Sequence, residues 1–178
     1  MRIIITLLII LSIFVGFVML NKHPKYHPSR GEQLVNSTLA KAAKIIKEKY
    51  NVIPCGVGVS MPGGPIQKVA LCFDTKYPYT KEQLRELLIK VAQELLKQVD
   101  ENQEIQEYLK EHPFTIKNVQ IIIYNHDKNG NSLTDPQISN AQILRGIVSY
   151  ATIDPEDSFK YKNEFEESYE EAVKALSK

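Results

Sequence analysis

Between Ile3 and Leu20 the chain runs for 18 residues without a charged side chain, broken only by Thr6, Ser12 and Gly16. As a helix rising ~1.5 Å per residue it would span about 27 Å, close to a bilayer's hydrocarbon core. A helix packed inside a globular domain is apolar along one stripe only, so one apolar all round must meet lipid or the translocation machinery. The rest of the chain must therefore fold as a unit delivered to a membrane surface.

The residues around Leu20 bear on whether the segment stays attached. Gly16-Phe-Val-Met-Leu-Asn21 offers no small residue at either key position of a small-x-small cleavage site, and no cysteine comes next for lipid attachment. Residues 1–20 are read first as an uncleaved transmembrane signal-anchor. The second reading is a signal peptide, removed to leave a secreted or periplasmic soluble factor. Arg2 on one side and Lys22, Lys25 and Arg30 on the other leave the positive-inside rule undecided. A two-residue N-terminus left in the cytoplasm places the domain outside, so the expectation is a single-pass cell-membrane protein with an extracytoplasmic domain.

Residues 21–28, with Pro24 and Pro28, read as a tether, and 29–178 as one domain large enough to bury a core. A net charge of +1 lacks the concentrated basic face that nucleic acid would require. Charge is nevertheless uneven: residues 21–50 hold seven Lys/Arg against two Glu, and 154–178 hold eight acids against four Lys. The two stretches are read as solvated faces, or the basic one as a contact for anionic headgroups, or the two as packed against each other. The partners expected are the lipid bilayer, through the N-terminal segment, and a protein that the sequence does not specify.

Within the domain, Ser29-Arg-Gly-Glu32 fits a capping box, and Val35, Leu39, Ala42 and Ile46 recur after it at helical spacing. This predicts a first helix over about 32–50. Val52–Ser60 and Ile66–Asp74 read as a hairpin around Met61-Pro-Gly-Gly-Pro65, with partners whose numbers sum to 127. Thr80-Lys-Glu-Gln83 starts a second helix carrying Leu84, Leu88, Val91 and Leu95, bending at 100–103. Thr115–Tyr124 reads as a strand. The 139–153 stretch reads either as a tight hairpin about Arg145-Gly146 or as a helical turn before one strand. Asp154-Pro155 then opens a closing helix through Tyr161, Phe165, Tyr169, Ala172 and Leu176. This order implies an α+β fold with a mostly antiparallel sheet covered by helices on one face.

Residues able to carry chemistry are few. Cys55 and Cys72 sum to 127, so the expected register sets them directly opposite, at a separation suited to a disulfide in an oxidising compartment. Two packed thiols are the other reading. His126 beside Asp127 is the one weak candidate for acid–base catalysis, in the long loop over 125–140. That supports a hydrolase only as an alternative to a binding or structural module. Asp127, Asn129, Asn131 and Asp135 superficially resemble a calcium loop, but Ser132 and Ile138 stand where Gly and Glu belong. No cofactor or metal site is expected.

Overall fold

The computed structural model describes residues 26–177. The Ile3–Leu20 segment and most of the tether lie outside the described residues. Among those described, no helix is long and apolar enough to cross a membrane.

Helix α1 (Arg30–Tyr50) starts at Ser29, whose hydroxyl accepts from the Glu32 amide while the Glu32 carboxylate accepts from the Ser29 amide. Its expected stripe of Val35, Leu39, Ala42 and Ile46 is buried. Asn51 then stops it in the left-handed conformation (φ 55°), which asparagine tolerates better than most residues. Strand β1 (Ile53–Ser60) turns through Met61–Pro65 into β2 (Lys68–Asp74). Helix α2 (Lys81–Glu101), capped by Thr80 and Gln83, buries Leu84, Leu88, Val91 and Leu95 completely. Each such side chain contributes roughly 1.5–3 kcal/mol. A short helix, α3 (Gln103–Gln106), comes after the break at Asn102.

Strand β3 (Val119–Tyr124) begins later than the sequence suggests, because Thr115 and Asn118 cap one another across a 3-10 turn at Ile116–Asn118. Strands β4 (Asn140–Leu144) and β5 (Ile147–Asp154) settle the ambiguous stretch as a hairpin. Arg145 (φ 55°) and Gly146 (φ 81°) form its two-residue turn, both left-handed as the twist of such hairpins requires.

The closing helix expected from Asp154 is corrected: residues Asp157–Ser168 form strand β6, and only Tyr169–Ala175 is helical, as α4. Tyr161, Phe165 and Tyr169 do recur every fourth residue. However, Asp154 and Asp157 face each other across a turn holding Pro155, which sends the chain back along the free edge of β5. There the extended backbone pairs the edge groups of β5, which a helix, bonded within itself, would leave unpaired. The acids of this segment are therefore divided: Glu164, Glu166 and Glu167 lie on β6, Glu167 pairing with Arg85 on α2, while Glu170 and Glu171 lie on α4.

The six strands lie in chain order, β1-β2-β3-β4-β5-β6. All neighbours are antiparallel except β2 and β3, which α2 connects as a parallel pair. Register partners share a face, so side chains line up in rows across the sheet. One face carries Phe73–Ile123–Ala141–Tyr150 and Leu71–Ile121–Ile143–Val148, all buried beneath α1 and α2. Among the described residues the other face is the more open one, although Asn140 and Ala151 are buried in it. Its rows read Asp74–Tyr124–Asn140–Ala151–Glu164 and Cys72–Ile122–Gln142–Ser149–Glu166, with charge confined to the margins.

Candidate functional site

Ligands of sheets with parallel strands gather outside the carboxyl ends of those strands. Here those ends are Asp74 and Tyr124, which are register partners. Two loops leave them, 75–79 and 125–139, and both sequence candidates, His126 and Asp127, lie in the second.

The loops are joined by Asn125, a fully buried side chain. Its carbonyl oxygen accepts from the Tyr79 amide at 2.9 Å and the Thr75 hydroxyl at 3.3 Å. Its amino group donates to the carbonyls of Tyr79 at 2.9 Å and Ile138 at 2.7 Å. Thr75 Oγ1 in turn accepts from the His126 amide at 2.9 Å. Nothing in the spacing of the sequence marks Asn125, because its role depends on segments meeting in space.

His126 and Asp127 do not form an acid–base pair. Asp127 turns into its own loop, accepting from the amides of Asn129 (2.7 Å) and Asn131 (2.9 Å) and from Asn131 Nδ2 (3.0 Å). These donors, the Asn131 side chain foremost, hold its carboxyl below the usual range. Asp135 binds Thr152, Asn163 and Lys162 instead of joining Asp127. His126 Nδ1 lies 3.6 Å from Asp74 Oδ1, with the imidazole largely buried. A cavity of about 620 Å³ opens nearby, but its walls are Pro78, Tyr79, Lys81, Pro136 and Phe165. Lys81 Nζ fills part of that wall, 4.9 Å above the Tyr150 ring and 4.7 Å above that of Phe165.

The other side of Asp74 faces the cysteines. A bulge between Pro54 and Gly56 corrects the expected register: Pro54 opposes Phe73 as expected, but Gly56, not Cys55, opposes Cys72. Cys55 is the extra residue, set beside Cys72 and not squarely across from it. Both thiols are free. Burial raises the Cys55 thiol to about 11, and the Asp74 charge, the neighbouring Cys72 and a hydrogen bond to Asp74 add to the shift. Burial and then Asp74 raise Cys72 as well. Tyr124 is raised first by burial.

Cys55, Asp74 and His126 thus stand in a chain with the carboxylate in the middle. A nucleophilic thiol needs its thiolate favoured, as a neighbouring cation would do, whereas burial first and the Asp74 carboxylate second disfavour the thiolate of Cys55. The cluster therefore holds no activated nucleophile.

A second candidate is the β1 edge. The Ser60 carbonyl accepts from the Gln67 amide at 2.8 Å and so points toward β2. Alternation then aims the backbone groups of Val59 and Val57 outward. Among the described residues no strand pairs with them. Val57 is 64% exposed and Val59 40%. From Tyr50 to Gln67 the chain carries no charged side chain.

The opposite edge, β6, is guarded in the manner of edges that must not pair. It carries Lys160, Lys162, Glu164 and Glu166, and its ladder with β5 shifts register after Thr152. Comparison of the chain with protein families, with curated proteins and with solved structures found no match in any of the three.

Proposed function

We propose that this chain is a membrane-tethered, extracytoplasmic binding module. It is held by residues 1–20 and takes up an extended protein segment along the edge of β1. The observation that carries this reading is the contrast between the two edges of one sheet. β1 is uncharged and offers outward backbone groups at Val57 and Val59, while β6 is charged and irregular. Main-chain pairing at such an edge supplies affinity, and pockets beside the strand supply selectivity. A shallow depression of about 200 Å³ lined by Gly58, Ser60, Lys68, Ala70 and Gln120 lies next to it. The protonated thiols and the dispersed His126 and Asp127 give a hydrolase no comparable support.

A photo-cross-linking residue placed at Val57 of the full chain, with Lys44 on α1 as the control position, tests the edge in intact cells. Adducts formed from position 57 and not from 44 support the reading, and their absence from 57 overturns it. Protease treatment of intact cells tests the sidedness. A domain left uncut until the membrane is broken would place it in the cytoplasm.

A further inference from the structure

Resting on that reading, we infer that the strand which pairs with β1 is β1 of a second copy of the same chain. Antiparallel self-pairing about a two-fold axis sets each residue opposite a reflected one, so a strand qualifies only if its pattern reads alike in both directions. The regular part of β1 is bounded by the bulge at Cys55 and by the strand's end at Ser60. The centre of that segment is Gly58. Around it the sequence is symmetric in character, with Val57 matching Val59 and Gly56 matching Ser60.

Pairing centred on Gly58 places Val57 of one copy opposite Val59 of the other, and reciprocally. These are the two residues whose backbone groups face outward, so both become hydrogen-bonded pairs. Their side chains share the face that α1 and α2 cover elsewhere, and the exposed Val57 gains an apolar neighbour there. On the open face Gly58 meets Gly58, so nothing obstructs the close approach of a non-hydrogen-bonded pair. No like charges meet, because the segment has none.

The β6 edge fails the same test. Its lysines and glutamates would suit an antiparallel partner, but Lys162 reaches Asp135, and Asp135 also binds Thr152 and Asn163. Glu164 sits opposite Ala151 in an open-face row. Opposite charges on opposite faces do not meet. The β1 contact spans only Gly56–Ser60 of each copy, against the roughly 20–30 residues a side of a stable interface in solution. It therefore requires the high local concentration that a shared membrane provides.

The experiment uses the full-length chain in phosphatidylcholine vesicles, in a Cys55→Ser, Cys72→Ser background. Val57→Cys and Val59→Cys forms with different tags are mixed and oxidised with copper–phenanthroline. Hydrogen-bonded partners have Cα atoms about 5.5 Å apart, within disulfide reach, whereas Val57 and its own counterpart are about 8 Å apart and beyond it. A disulfide dimer carrying both tags, lost when either form is present alone, is the expected result. In the unmodified chain, hydrogen exchange at the Val57 and Val59 amides should slow as surface density rises.

Equal cross-linking of either form alone, no dimer, or density-independent exchange overturns the inference. Should position 57 still capture a different protein in cells, edge binding stands and only the identity of the occupant falls. Should it capture nothing, both fall.

Discussion

Replacing Asn125 removes the side chain that ties the loops at the end of the sheet together. It makes four hydrogen bonds, to Thr75 Oγ1, the Tyr79 amide, the Tyr79 carbonyl and the Ile138 carbonyl. A net value of ~1 kcal/mol for each would give about 4 kcal/mol for Asn125→Ala. The 3.3 Å Thr75 bond is long and Tyr79 is only half-buried, so water can rescue part of the loss. About 3 kcal/mol is the expected cost, or a fall in Tm of roughly 6–12 °C for a domain of this size.

Asn125→Asp is more discriminating. It keeps both acceptor bonds but turns a carboxylate oxygen toward two carbonyls. The folded state should then favour the protonated acid, raising its pKa above the ordinary value near 4. A raised folded pKa means that stability is complete at low pH and lost as pH rises through that pKa. The Asp variant should therefore be less damaged at pH 4 than at pH 7 relative to wild type, while the Ala variant shows no such trend.

The chain has no tryptophan, so urea unfolding of the full protein in mild detergent is best tracked by circular dichroism and tyrosine fluorescence. A cost below ~1 kcal/mol for Asn125→Ala, or an Asp variant as stable as wild type at pH 7, would mean that Asn125 does not tie these loops together.

Other contacts carry their own expected outcomes. Glu167→Ala strips Arg85 of its 2.8 Å partner and the Tyr150 hydroxyl of its 2.6 Å acceptor, both partly buried, and should cost about 2–3 kcal/mol by denaturant midpoint. Tyr150 is also held above the ordinary tyrosine range, by burial first and Glu167 second. Its share of stability is full below pH ~10 and should decline as pH rises beyond it, visible as a late tyrosinate step at 295 nm. Iodoacetamide should label Cys55 slowly at neutral pH, and Asp74→Asn should speed that labelling several-fold by removing a charge that opposes the thiolate. At the β4–β5 turn, Arg145→Asn should stabilise by roughly 0.5–1 kcal/mol, since asparagine adopts the left-handed conformation more readily. Gly146→Ala should destabilise by about 1–2 kcal/mol although space is available, the nearest atom to an added Cβ being Lys117 Cγ at 3.7 Å. Thermal melts of both variants decide the sign.

Local chemistry is legible in the sequence wherever it acts over a few residues. Both long helices are marked by capping pairs and a four-residue apolar rhythm, and both start where the pairs place them. The β1–β2 hairpin is legible in existence but not in register, because one extra residue at Cys55 cannot be counted without knowing its partner. The segment after Pro155 departs from its helical spacing for a physical reason. Tyr161, Phe165 and Tyr169 would line up on a helix, but the unpaired edge of β5 decides against one, and that edge exists only once the sheet is assembled. The loop site is still less legible. His126 and Asp127 are adjacent in the chain yet face different partners, and the partners that matter, Asp74 and Asn125, bear no signature of their own.

The strand order has a consequence for how the molecule comes into being. Since the six strands lie side by side in the order in which they are synthesised, each arrives next to an edge that already exists. The sheet can be laid down from one side as the chain emerges, and only the β2–β3 step must wait for the intervening α2 to dock. Assembly of this kind is vectorial. The last strand to arrive is the irregular, charged β6, which closes the growing end against unwanted addition, while β1 stays available from the outset.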